Sequence, residues 1–152
     1  MIQRILIFLL INFGALALGG IFAGQGASSD WYQNLNKAPW TPPGWVFGVA
    51  WTAIMIAFSV YMDYLYGQVE NKTQLGILFG IQWILNVAWN PAFFYFHQPM
   101  IGLIIISALT LLVLFFLIWY WKDLTWYSAF LLPYLIWLLI ATSLNSYIVF
   151  NN

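Results

Sequence analysis

Residues 39–45 read Pro39-Trp40-Thr41-Pro42-Pro43-Gly44-Trp45, inside a tryptophan-rich stretch that runs from Trp31 to Trp51. The prolines hold φ near about −65°, remove backbone donors, and bias Ala38, Thr41 and Pro42 toward extended conformations. Such a segment is stiff before it meets any partner. Trp31, Tyr32, Trp40, Trp45 and Trp51 surround it, and amphipathic rings of this kind favour the membrane–water boundary. On either side the chain turns strongly apolar. The stretch is read as a rigid lid at one membrane face, leading into the second of several spanning helices.

Composition supports that setting. Of 152 residues, 64% are hydrophobic and only 5% charged, against roughly a quarter charged in soluble domains. A formal net charge of zero with four scattered basic residues argues against a nucleic-acid surface. The absence of cysteine excludes disulfides, thiol nucleophiles and sulfur-ligated metals. Arg4 followed by an apolar run could mimic a signal peptide. The run is too long and lacks a clear small-x-small cleavage site, so it is read as a retained helix.

A span needs about 20 apolar residues. Five segments qualify, at about 5–23, 45–66, 74–96, 101–121 and 126–150. Because lipid-facing backbone finds no water, the expected fold is an all-α membrane protein: one domain over residues 1–152, a five-transmembrane-helix bundle with a long structured first loop. Thr41 is expected to cap the second helix, with Pro42 in its first turn. Asp63, Glu70 and Lys72 are read as a solvated turn on the side opposite the lid. Pro91 should loosen the end of helix three, and Pro133 should free the carbonyl of Ala129 within helix five. Arg4, Lys72 and Lys122 fall on one side and Lys37 on the other, which places the N-terminus in the cytoplasm and the lid outside.

Few groups carry chemistry. Gln82, Asn86 and Asn90 share one stripe of helix three, which should face the bundle interior. His97, the only histidine, is read as an interfacial residue rather than a haem or metal ligand. No Ser/His/Asp set, interior carboxylate pair or metal cluster is evident. Counted at 1.5 Å per residue, Trp51, Asn86 and Ala141 lie roughly 12, 15 and 14 Å from the lid-side ends of their helices. Two readings follow. One is an apolar cavity with fixed donors beneath an aromatic lid, suited to a flat hydrophobic ligand. The other is hydrogen bonding between helices, worth about 0.6–2 kcal/mol per contact.

The residues Trp31-Tyr32, Leu35, Lys37, Pro39 through Gly48 and Trp51 resemble the signature of the TspO/MBR family of tryptophan-rich sensory proteins and translocator proteins. The likeness continues through Gln82, Leu85-Asn86, Ala88-Trp89, Pro91 and Phe93-Phe94. It ends in Pro133-Tyr134-Leu135, Trp137, Ala141-Thr142 and Leu144-Asn145. The resemblance implies a porphyrin ligand (protoporphyrin IX or haem), other hydrophobic small molecules, and no obligatory cofactor. By position, it implies that Trp51 and Asn86 hydrogen-bond ligand, and that Tyr32, Trp137, Ala141 and Leu144 line the pocket; Trp40 and Gln82 complete the candidate set. It further implies sensing or transport, with light-dependent porphyrin breakdown through Trp51 and Trp137 or a ligand-controlled scaffold as alternatives. A homodimer contact through Gly76, Gly80, Ala88 and Ala92 is implied too. The cholesterol-recognition pattern of mitochondrial members lacks its basic residue after Tyr147. With the short N-terminus, this points to a bacterial inner-membrane protein.

Overall fold

The computed structural model describes residues 2–152. Five helical segments are long and apolar enough to cross a membrane: Ile2–Ser28, Gly44–Gln68, Lys72–Tyr95, Pro99–Trp119 and Trp121–Asn151. Their regular cores are α1 (Ile2–Ala23), α3 (Gly44–Gln68), α4 (Lys72–Asn90), α5 (Pro99–Trp119) and α7 (Leu132–Asn151). Two short helices, α2 (Asp30–Asn34) and α6 (Trp121–Leu124), lie in the connections. Leu10, Ile84, Leu111, Ile118 and Leu139 point outward and are more than half exposed, a surface that lipid accepts and water does not. This is an integral, multi-pass membrane protein.

The helices form a closed ring: α1 packs on α3 and α4, α5 on α4 and α7, and α7 returns to α3. Inside it run Phe58, Tyr61, Phe116, Tyr134 and Leu138, each fully buried. Polar contacts tie the ring together. Asn12 Nδ2 donates to Ser59 Oγ at 2.8 Å, and Gln82 Nε2 donates to Tyr134 Oη at 2.7 Å. Close approach is set by two glycines. A β-carbon on Gly19 would sit 2.6 Å from Asn90 Nδ2, and one on Gly102 would meet both Asn145 and Phe93.

Several expectations need correction. Helix α3 begins at Gly44, not at Pro42, and Thr41 is not its cap; the N-cap is Pro43, extended at φ −55°, ψ 147°. Thr41 and Pro42 each precede a proline, which disfavours the helical region for both, so the helix waits until the last proline is passed. The Thr41 N–H instead closes a turn onto the Ala38 carbonyl at 2.9 Å. The fifth span is also interrupted. Thr125 takes a left-handed φ of 47°, residues Thr125–Leu131 wind as a 3-10 segment, and α7 starts only at Leu132. Pro133 therefore sits in the first turn of a new helix, where its missing N–H costs nothing. The Ala129 carbonyl is not freed, because it accepts from the Leu132 N–H.

Asp63 corrects the reading of the turn opposite the lid. It is 3% exposed and accepts from Arg4 Nε at 3.1 Å. It lies about one and a half turns inside α3, so only Glu70 and Lys72 belong to the solvated turn. Gly76 and Gly80 face open space, whereas Ala92 is buried inside the chain.

Candidate ligand site beneath the first loop

The lid is more ordered than its prolines alone require. Ser29 Oγ accepts from the Tyr32 N–H at 3.3 Å and caps α2, an ordinary use of serine at an N-cap. Lys37 Nζ donates to the carbonyls of Tyr32 (3.1 Å) and Gln33 (2.8 Å), which places a positive charge at the negative end of α2. This little helix drives Tyr32 inward to 6% exposure. Burial raises its phenol above the usual range, so it remains a neutral O–H.

Below Tyr32 lies a cluster of aromatic rings built by the end of α4. Pro91 cannot donate to the ladder, and the chain widens into a π-helical turn over Pro91–Tyr95, in which the Phe96 N–H reaches the Pro91 carbonyl at 2.9 Å. The wide turn brings the adjacent rings of Phe93 and Phe94 to 4.9 Å, and Tyr32 meets Phe94 at 5.6 Å. Trp89 stacks on Phe93 at 5.3 Å and 17°. Its Nε1 donates to Asn145 Oδ1 at 3.1 Å, while Asn145 Nδ2 donates to the Pro99 carbonyl at 2.8 Å. One amide thus joins three elements and fixes the indole. Asn145→Ala is expected to lower stability by about 1–3 kcal/mol, two interhelical contacts at the usual membrane value, and to broaden and red-shift tryptophan emission as Trp89 loosens. Unchanged melting and emission would show that Asn145 does not hold the ring.

These rings, with Phe47 from α3 and Ala141, Leu144 and Ile148 from α7, enclose a cavity of about 20 Å³. That is room for one water-sized body. Tyr32, Ala141 and Leu144 of the candidate set line it directly. Trp137 is one layer behind, its ring edge-on to Phe47 at 5.4 Å and its buried Nε1 without a partner. Asn86 is buried at 7% exposure, and Gln82 is buried with its Oε1 unpartnered. Trp51 packs on Tyr134 at 6.0 Å and faces a groove between α1 and α3 rather than the inner cavity. Trp40 lies outside altogether: it is 56% exposed, with Nε1 donating to Ser143 Oγ at 3.2 Å and its ring against Tyr147.

Five wall residues escaped sequence reasoning as site members: Phe47, Trp89, Phe93, Phe94 and Ile148. A signal existed, since Trp89 and Phe93 are one helical turn apart on the polar stripe's helix, and Phe47 is one turn before Trp51. His97 stacks on Trp31 at 4.3 Å with a left-handed φ of 52°, and is not among the cavity's lining residues. Among the described residues no cluster of His, Cys, Asp or Glu could hold a metal ion.

A closed ring of five spans, roofed by a proline-stiffened loop over a small aromatic-lined void, defines a multi-pass helical membrane protein. A sequence model of the TspO/MBR family matches residues 6–150, and the chain belongs to that family. It is 32% identical to the protein CrtK of Rhodobacter capsulatus, over 89% of this chain and 86% of the relative. It is 34% identical to the tryptophan-rich sensory protein of Cereibacter sphaeroides, over 86% and 84% respectively. The human translocator protein is 32% identical, over 83% of this chain and 79% of its own length.

Proposed function

We propose that this protein binds a flat tetrapyrrole, protoporphyrin IX or haem, between its helices beneath the first loop, and acts as a sensor or translocator of that ligand in a bacterial inner membrane. The observation that carries the reading is the convergence of Tyr32, Phe47, Trp89, Phe93 and Phe94 on one void. Aromatic faces stack on a planar macrocycle without needing its substituents. The chain's single histidine is outside the lining, so recognition falls to ring faces and amides rather than to axial ligation of a metal. Asn86 and Trp137, both buried and neither among the void's lining residues, enter the reading through the family resemblance as the amide and indole N–H that would meet pyrrole nitrogens or carboxylates. The names of relatives, tryptophan-rich sensory protein and translocator protein, agree with this reading.

The test is titration of the full chain in lipid nanodiscs with protoporphyrin IX in the dark, following tryptophan quenching. Saturation near one ligand per chain is expected. Asn86→Ala should weaken binding about five- to tenfold, the loss of one hydrogen bond of about 1 kcal/mol. Quenching that never saturates and matches partition into empty nanodiscs would refute the tetrapyrrole reading.

A further inference from the structure

At the membrane face opposite the lid, the seam between α1 and α3 holds a cleft of about 210 Å³ walled by Ile2, Ile5, Val60, Tyr64 and Asp63. Four of these walls are aliphatic or aromatic, and the fifth is a carboxylate. Ile2 is 73% exposed beside it, and Val60 and Tyr64 are half-buried, so the cleft is open on the outer surface of the bundle. Asp63 sits about one and a half turns inside α3, at the depth where hydrocarbon gives way to headgroups.

We propose that this cleft binds one phospholipid whose headgroup joins a phosphate to a primary ammonium, with the ammonium on Asp63 and the phosphate on Arg4. The charge balance selects that headgroup. Asp63 is buried, its Oδ1 accepts from Arg4 Nε at 3.1 Å, and no second donor reaches the carboxylate among the described residues. A carboxylate can accept several hydrogen bonds, and leaving that capacity empty in an apolar wall is costly. Arg4 in turn uses only Nε on Asp63. Its side chain is 40% exposed, and its other N–H groups have no acceptor among the described residues. The pair is neutral as a whole, with its negative end in the cleft and its positive end toward the headgroup layer. An anionic lipid would find the carboxylate opposing it, and a choline head has no N–H to donate. A phosphoethanolamine head matches both ends.

The neighbours hold both groups in place. Arg4 Cζ lies 5.5 Å from the centre of the Tyr66 ring, and Lys72 Nζ lies 4.6 Å from the same point. Two cations on one ring strengthen the positive field that a phosphate meets. Lys72 is itself committed to the carbonyls of Tyr66 and Val69, so it closes the end of α3 and leaves Asp63 to Arg4. Tyr64 stacks on Tyr127 at 4.0 Å and 23°, which stiffens one wall of the cleft. The tetrapyrrole reading plays no part here, because the cleft shares no lining residue with the void beneath the lid.

The experiment is native mass spectrometry of the full chain, delipidated in detergent and offered dioleoyl lipids with ethanolamine, monomethylethanolamine, dimethylethanolamine, choline or glycerol heads, beside a thermal melt with each. One phosphatidylethanolamine per chain should be retained about tenfold better than phosphatidylcholine, the contribution of one hydrogen bond to a charged group. Retention should fall stepwise as methyl groups replace N–H donors, and phosphatidylglycerol should bind no better than phosphatidylcholine. Arg4→Met with Asp63→Leu replaces the whole pair by apolar groups, and it should lose the preference while keeping its melt. Val60→Phe keeps both charges and fills the cleft, and it should lower retention of the ethanolamine lipid as well. Equal retention of ethanolamine and choline lipids by the parent chain, stronger retention of phosphatidylglycerol, or a preference that survives in Val60→Phe would each overturn the proposal.

Discussion

Ala141→Leu is expected to abolish tetrapyrrole binding, by at least about a hundredfold, while the bundle still assembles. A single methylene in an apolar pocket is worth about 1–3 kcal/mol of discrimination, and this change adds an isopropyl group to the wall of a cavity of about 20 Å³. Ala141 is 6% exposed and faces the aromatic cluster from α7, so the new side chain has nowhere else to go. Overpacking should cost about 1–3 kcal/mol of stability, small enough for the variant to be purified. The check is dark titration with protoporphyrin IX beside a thermal melt. Binding within threefold of the parent protein would mean that the ligand resides elsewhere, with the α1–α3 groove the first place to look.

The second large effect lies at the opposite membrane face. Arg4→Met should destabilise the protein by about 3 kcal/mol, because it strands a carboxylate that is buried and has lost its partner. Asp63 carries the cost: its side chain is 4% exposed against 40% for Arg4. Arg4 also lays its guanidinium over the Tyr66 ring at 5.5 Å, so some packing goes with the charge. The double variant Arg4→Met with Asp63→Leu should regain most of the loss, since replacing both members of a buried pair by apolar groups is often nearly neutral. Melting in detergent should show the single change well below the parent and the double change close to it. Equal melting of parent and Arg4→Met would show that the pair contributes nothing to the fold.

How much of this was legible in the chain differs from place to place. The spans were readable because a bilayer demands length and apolarity, and both are one-dimensional properties. The start of α3 differs from the expectation because Pro42 itself precedes a proline, and the bias that stiffens the lid also bars Pro42 from the helical first position that a Thr41 cap requires. Asp63 looked like part of a turn because sequence distance from a helix end says nothing of what lies opposite; its partner is 59 positions away in the chain. The pocket residues show the same limit. Depth along a helix can be counted, and Trp51, Asn86 and Ala141 were matched that way. Azimuth around the helix cannot be counted without knowing the neighbours, and so Ala141 meets the cavity while Trp51 faces the groove. Trp40 was drawn into the site by its motif, but an exposed indole at the lid finds Ser143 on the outer side of α7.

The order of the ring has a bearing on how the protein is made. Helices leave the ribosome in chain order, and α1, α3, α4 and α5 can pair one after another as each enters the bilayer. The circle closes only when α7, the fifth span in chain order, inserts between α5 and α3. Ala141, Leu144 and Ile148 arrive with it, and so does Asn145, which fixes the indole of Trp89. Until then the aromatic cluster has an open side toward lipid. A nascent or truncated chain that ends before residue 132 would therefore be fully embedded yet have no closed chamber. A ligand held by that cluster, as proposed above, would favour the closed bundle over every partial one.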